Sequence, residues 1–365
     1  DSEVVRRLRA AGAVIVGRTT MPEFGQFPFT ESLATGVTRN PFDLDRSPGG
    51  SSGGSAVAVA TGMVPVALGA DGGGSIRIPA SACGLVGLKP TRGCISVAPL
   101  SQHWYGLVVL GGMSRSVRDS ALLLDVISGS TPVDRWSVPP PREPFAAVAA
   151  REPGTLRIAW STKCVTPGVD TDPEITAATE QVARALVRLG HRVHRTAPRW
   201  PVATDAFLPQ FYGGMAAEAG QVEHPERLEP RTRQTARLAR WATPRVVERA
   251  IRRGERVAAA VDARLLTDAD VFLLPTMPKL PPPVGLLDGM DAVRAQVATL
   301  PYVANTVLTN VSGHPALALP AGLSASGLPI GVQLIARRGE EGLLLAIAAQ
   351  IEASRPDFWP GVATP

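Results

Sequence analysis

The chain has 365 residues, 45% of them apolar, enough to bury a large core in one extended α/β domain or in about two smaller ones. Its formal charge is +5, but the excess is spread through helical segments, and lysine occurs only at Lys89, Lys163 and Lys279. That pattern argues against a phosphate-binding surface, leaving nucleic-acid contact as a minority reading of the arginine-dense stretch 226–256, and no apolar run is long enough to span a bilayer.

The predicted elements begin with a helix over Val4–Ala10 and a short buried strand at Ala13–Val16. Pro22 ends regular structure, and Asn40–Gly54 is turn chemistry throughout: Asn-Pro, Ser-Pro and two Gly-Gly pairs. Ser55–Gly62, small and apolar, predicts a close-packed helix, and Val64–Leu68 a strand running into Gly72–Gly74. An amphipathic helix is expected over Arg115–Gly129, with Leu122, Leu123, Leu124, Val126 and Ile127 buried. The proline-rich piece Thr131–Pro144 reads as a surface connection. A strand at Leu156–Trp160, a helix at Pro173–Leu189 and a strand at Arg192–Arg195 then follow. A long Arg/Ala-rich helical region spans about Pro230–Leu266. It precedes strands at Val271–Leu274, Ala316–Leu319 and Ile330–Ile335 and a closing helix at Glu340–Ala353. The alternation argues for an α/β fold, with a mixed central sheet covered by helices on both faces. Cys83, Cys94 and Cys164 make neither a disulfide framework nor a metal spacing, which suits a reducing cytoplasm. No charged n-region or apolar h-region opens the chain at Asp1, which points the same way.

Two glycine-serine clusters hold the chemistry: Gly49-Gly50-Ser51-Ser52-Gly53-Gly54-Ser55 and Asp71-Gly72-Gly73-Gly74-Ser75-Ile76-Arg77. Either alone reads equally well as a flexible turn. Together, each sets a serine among free N–H groups. A phosphate cradle would need a Gly-Lys-Ser/Thr run, and a dinucleotide site a Gly-x-Gly-x-x-Gly opening a helix; neither cluster supplies one. Acyl transfer by a serine beside backbone donors remains. Gly49–Gly53 also matches Gly-x-Ser-x-Gly, but a nucleophile elbow must follow a strand, and here a loop precedes it. The second cluster is better placed, because Val64–Leu68 delivers the chain to it. His103, His191, His194, His224 and His314 all read as surface or packing residues, so the base is not a histidine. A lysine kept neutral by burial would serve.

Gly50–Ser55, then Asp71-x-Gly73-Gly74-Ser75-Ile76-Arg77-x-Pro79, then Cys83-Gly84-x-x-Gly87-x-Lys89-Pro90-Thr91-x-Gly93 resemble the amidase signature. The resemblance extends to Arg18–Phe24, Met113–Asp119, Asn310–Ala316 and Gly327–Gln333. It implies an amidohydrolase working through an acyl-serine intermediate, with Ser75 as nucleophile. Ser51, after a cis peptide bond, would relay the proton. The backbone of Gly72, Gly73 and Gly74 would form the oxyanion hole, with Ser52, Asp71 and Arg77 in support. No metal or organic cofactor is implied. Gly72 departs from the threonine of many family members, which would loosen the loop. The family's lysine would fall before Asp1, so little turnover is expected from this chain alone. Lys89 reads as structural.

The resemblance implies one amidase domain over 1–365: a signature core at about 1–130, a variable helical region at about 131–268, and C-terminal strands with a helix at 269–365. The expected partner is a small amide, with no nucleic acid and no membrane, in a cytoplasmic protein for which a homodimer is the default. Two alternatives stay open: the A subunit of a glutamyl-tRNA amidotransferase, and a non-catalytic member of the fold that binds amides or a partner.

Overall fold

The computed structural model describes residues 1–363. A two-residue ladder joins Glu31–Ser32 (β1) to Gly36–Val37 (β2). All other strands share one eight-stranded sheet: Val66–Asp71 (β3), Val86–Lys89 (β4), Val109–Ser114 (β5), Arg157–Trp160 (β6), Arg192–Arg195 (β7), Val271–Pro275 (β8), Ala316–Leu323 (β9) and Pro329–Ile335 (β10). Their order across the sheet is β3-β5-β4-β9-β10-β8-β6-β7. The pairings are antiparallel from β3 to β8 and parallel from β8 through β6 to β7. The sheet is therefore mixed.

Two-residue alternation sets which side chains meet which layer. Val271, Leu273, Leu317, Leu319, Val332 and Leu334 pack on the helices Val117–Ile127, Pro173–Arg188 and Glu341–Ser354. Their neighbours Phe272, Leu274, Ala316 and Ile335 face the opposite way, onto Thr204–Ala219, Pro244–Val261 and Val307–Ser312. Ala318 joins the short helices Gly53–Ala60 and Arg77–Ala82 on that second side. Helices thus cover both faces, as the alternation of predicted elements implied. No helix among the described residues is long and apolar enough to cross a membrane.

Several local expectations are corrected. Ala13–Val16 forms no strand here, and Val14 and Val16 are 86% and 77% exposed. Leu122 is exposed rather than buried, falling on the outer side of its helix. The long arginine-rich helix is broken at Thr243-Pro244, where a second helix starts with proline in its first turn. From there Val247, Ala250, Ile251, Gly254, Val257, Ala258 and Val261 form the buried stripe and the arginines fall outside it. The helix Thr204–Ala219 and strands β4 and β5 had no distinct prediction.

The contrast between core and edge gives a direct check. Leu334→Ala should cost about 2–5 kcal/mol of unfolding free energy, because Leu334 is fully enclosed. Val14→Ser should stay within about 0.5 kcal/mol. Urea unfolding of both variants measures this, and equal losses would mean that the Ala13–Val16 run is covered after all.

Candidate active site

Ser75 stands in the turn between β3 and the helix Arg77–Ala82. That turn is wound around one carboxylate. Asp71, fully buried at the end of β3, accepts from Gly74 N at 2.8 Å, Ile76 N at 3.2 Å and Asn310 Nδ2 at 2.8 Å. Arg77, also fully buried, closes on it through Nε and Nη2, both at 2.9 Å. Burial pushes the Asp71 carboxyl up, but the Arg77 guanidinium with its hydrogen bonds, Lys89 and Asn310 outweigh it and hold the group at about 2. The remaining donors of Arg77 reach Thr309 Oγ1, Gln333 Oε1, Asn310 Oδ1 and Thr306 O at 2.8–3.0 Å. Thr306 Oγ1 in turn donates to Gly73 O.

This winding revises the expected donor set. Gly74 spends its N–H on Asp71, so it is not an oxyanion donor. Among the described residues, the N–H groups of Gly72, Gly73 and Ser75 have no partner. Two positions need glycine for definite reasons. Gly74 has φ +127°, and a Cβ there would lie 2.4 Å from Thr306 Oγ1. A Cβ on Gly72 would lie 2.9 Å from Val108 Cγ2 and 3.0 Å from the Trp104 ring. The missing side chain at Gly72 therefore makes room for Trp104 rather than loosening the loop.

Ser51 comes from the other cluster, and the Gly50–Ser51 peptide bond is cis. Thr30 clasps this loop: its hydroxyl donates to Gly49 O at 2.9 Å and accepts from Gly53 N at 3.1 Å. Ser52 joins the two clusters, because its N–H donates to Ser75 O at 3.2 Å and its Oγ accepts from Ala70 N at 3.3 Å. Both candidate serines are buried, at 5% and 9% exposure. Thr30, Thr306, Asn310 and Gln333 carry no local sequence signal of a place in the site, although the last two lie in segments that carry the resemblance.

A small pocket of about 50 Å³ opens on Ser75 and Gly73. Phe27, Trp104, Phe207, Phe211, Val303 and Val307 line most of it, with Gln26, Gln296 and Thr299 as the polar side chains beside Ser75. Trp104 is held by Glu218 Oε1, which accepts from Trp104 Nε1 at 2.6 Å and meets His103 Nε2 at 2.8 Å. Phe211 meets Trp104 edge-on, and Phe207 stacks on Phe211. Tyr105 packs instead against Gly213, outside the pocket. Among the described residues, no cluster of His, Cys, Asp and Glu is arranged to hold a metal ion.

None of the three lysines lines this pocket. Lys163 is exposed, and Lys279 pairs with Asp172 at 2.5 Å. Lys89 is fully buried on β4 and donates to Pro90 O at 2.8 Å. Burial, Arg77 and Arg92 bring it down to about 7, against the upward pull of Asp71 and Glu341. The unfolded chain keeps this proton until about pH 10.4. Between the two values the unfolded state binds more protons, so the Lys89 contribution makes stability rise with pH. The buried thiols of Cys83 and Cys94 are raised and act oppositely above about pH 8.5. The check is therefore a difference: the unfolding free energy of wild type minus that of Lys89→Met should grow from pH 7 to pH 10. A difference independent of pH would show that Lys89 is not depressed.

Comparison with known proteins identifies the family. The family model described as Amidase matches residues 1–345. AmiB2 of Mycobacterium tuberculosis is 47% identical over 358 residues, covering 98% of this chain and 76% of that protein. The 6-aminohexanoate-cyclic-dimer hydrolase of Paenarthrobacter ureafaciens is 42% identical, with the same coverage of each chain. A solved structure of a 6-aminohexanoate cyclic dimer hydrolase with substrate superposes with a TM-score of 0.91 at 38% identity, over 100% of this chain and 79% of that one. The glutamyl-tRNA(Gln) amidotransferase of Thermotoga maritima, through its A subunit, gives a TM-score of 0.81 at 30% identity, over 100% and 80%. With the two signature clusters tied together through Ser52 and a family match over nearly its whole length, the chain belongs to the amidase family, whose members hydrolyse carboxylic amides.

Proposed function

We propose that Ser75 is the acylated nucleophile of this amidase and that Ser51 relays its proton. The observation that carries the reading is the Ser75 turn. It presents a serine to an apolar pocket beside three unpartnered N–H groups, with the Ser51 loop tied to it through Ser52. As Ser75 Oγ bonds to the amide carbonyl carbon, its proton passes to Ser51 Oγ while the Ser51 proton passes to a base. The developing oxyanion is met by the N–H groups of Gly72, Gly73 and Ser75; one such donor is typically worth about 10²–10³ in rate. The C–N bond then breaks, with the proton returned through Ser51 to the leaving nitrogen. Water adds to the acyl-Ser75 ester, and the carboxylic acid leaves.

Among the described residues none of the three lysines hydrogen-bonds to Ser51: Lys89 donates to Pro90 O, Lys279 pairs with Asp172 and Lys163 is exposed, so none of them is read as that base. The reading accordingly gives residues 1–365 alone little turnover. A cytoplasmic setting is favoured by three buried cysteines with no disulfide among them. A role within an amidotransferase is the less supported reading, because the likeness at 30% identity is weaker than that to the hydrolases.

Steady-state assays on simple amides and an activated ester test the roles. Measured in a form of the protein that includes the base and turns amides over, Ser75→Ala should lower kcat by about 10⁴–10⁶ and leave no acyl-enzyme in the intact mass spectrum. Ser51→Ala should lower it by about 10²–10⁴ while keeping substrate affinity. Undiminished turnover in Ser75→Ala would sink the assignment, and appreciable Ser75-dependent turnover by residues 1–365 would mean that another group takes the proton from Ser51.

A further inference from the structure

The turn that carries the unpartnered N–H groups is held by different means at its two ends. Its later part is tied by hydrogen bonds: Asp71 takes the N–H groups of Gly74 and Ile76, and Thr306 donates to Gly73 O. Gly72, the first of the unpartnered donors, is held by packing. A Cβ there would lie 3.0 Å from the Trp104 ring and 2.9 Å from Val108 Cγ2. The place of the Trp104 ring therefore helps to set the place of the Gly72 N–H. One face of the helix Thr204–Ala219 fixes that ring. Phe211, Gly214 and Glu218 follow one another at three and four residues, so they share a stripe. Phe211 meets the ring edge-on, with centroids 5.3 Å apart. Gly214 lets it lie against the helix, where a Cβ would come within 2.6 Å of Trp104 Cδ1. Glu218 Oε1 accepts from Trp104 Nε1 at 2.6 Å. The indole has no other donor, so this bond is what orients the ring within its slot. The backbone that delivers it is unusual too, with φ of +44° at Trp104 and +55° at Tyr105. Bulky residues persist in that region only where their surroundings hold them, and such backbone gathers at functional sites.

We propose that Glu218 is a positioning residue for the reaction: by holding the Trp104 indole in this slot, it sets where Gly72 presents its N–H to the oxyanion. This rests on Ser75 as the reacting centre. Glu218 does not line the pocket, so it acts through the ring. A reacting group misplaced by about 1 Å can cost about 10²-fold in rate. Because the oxyanion forms only on the way to the tetrahedral intermediate, loss of its donor falls on kcat rather than on KM.

Two measurements test it, one of them independent of turnover. In proton–nitrogen correlation spectra of residues 1–365, Glu218→Ala should shift the Trp104 indole and Gly72 amide signals and leave that of Gly74, which Asp71 holds, in place. Glu218→Gln keeps an acceptor for the indole and should leave all three near their wild-type positions. Alanine suits a helix and Glu218 is partly exposed, so the first variant should fold. In a form of the protein that includes the base and turns amides over, Glu218→Ala should lower kcat about tenfold or more with KM within about threefold. Glu218→Gln should stay near wild type. Trp104→Phe should lower kcat as well, and adding Glu218→Ala to it should cost nothing further, since no indole N–H is left to hold. An unmoved Gly72 amide, an equal loss in Glu218→Gln, or a Glu218→Ala loss undiminished beside Trp104→Phe overturns the proposal. So does a lower unfolding free energy in Glu218→Ala with kcat intact, which would make the contact merely structural. If the Gly72 shift and the kcat loss both appear while Ser75→Ala still turns over fully, the positioning role stands and the nucleophile assignment fails instead.

Discussion

The Asp71–Arg77 ion pair is the interaction on which the site depends. Taking a carboxylate and a guanidinium out of water costs several kcal/mol per ion, and their attraction offsets this only when every remaining donor and acceptor is met. Here that condition is satisfied. Arg77 directs its N–H groups at Asp71, Thr306, Thr309, Asn310 and Gln333, and Asp71 accepts from the loop it anchors. The pair joins the end of β3 to the helix Val307–Ser312 and to β10. A loop containing three consecutive glycines would otherwise be the most mobile part of the chain. Wound around Asp71, it has one arrangement, with its unpaired N–H groups beside Ser75.

The same pair acts on its surroundings. Lys89 lies in the field of Arg77, which with burial drives it toward the neutral form. A second permanent cation would repel Arg77 even while it attracted Asp71, so a lysine that gives up its proton easily suits the network better than an arginine would. Lys89 therefore has a depressed basicity of the kind that marks catalytic lysines, yet it stands outside the pocket. Depressed basicity alone does not identify a catalytic base; geometry has to agree.

What could be read from the chain depended on the range of the interaction involved. Strands β8, β9 and β10 announce themselves by apolar runs, because packing between two layers of helices demands them on both faces. The clusters around Ser51 and Ser75 were legible because turns and close approaches restrict residue type locally. By contrast, Gly111-Gly112 in β5 suppresses the strand signal, although a Cβ at Gly111 would strike Leu88 O of the neighbouring strand. Pro209 and Gly213-Gly214 similarly hide the helix Thr204–Ala219, where Gly214 lets the Trp104 ring lie against the backbone. The link from Asn310 to Asp71 crosses 239 positions and has no local signature. The run Ala13–Val16 shows the reverse: its residues are apolar, but an apolar segment is buried only where an element covers it.

The pocket separates two tasks by where their residues arise. The loops that hold Ser51 and Ser75 are braced by backbone contacts and one buried charge pair, so substitutions there disturb the reacting geometry. Phe207, Phe211, Gln296 and Thr299 come from the helices Thr204–Ala219 and Ala292–Val303, beyond the signature clusters, and reach the pocket with side chains alone. Exchanging such side chains alters shape and hydrogen-bonding partners without moving the Asp71 network. The two helices share a neighbour: Thr204–Ala219 packs chiefly on Pro244–Val261 but also on Pro230–Leu238, which Ala292–Val303 touches too. The aromatic wall and the amide-bearing wall are therefore linked through that helix, and exchanging their side chains lets one fixed nucleophile serve amides of different shape.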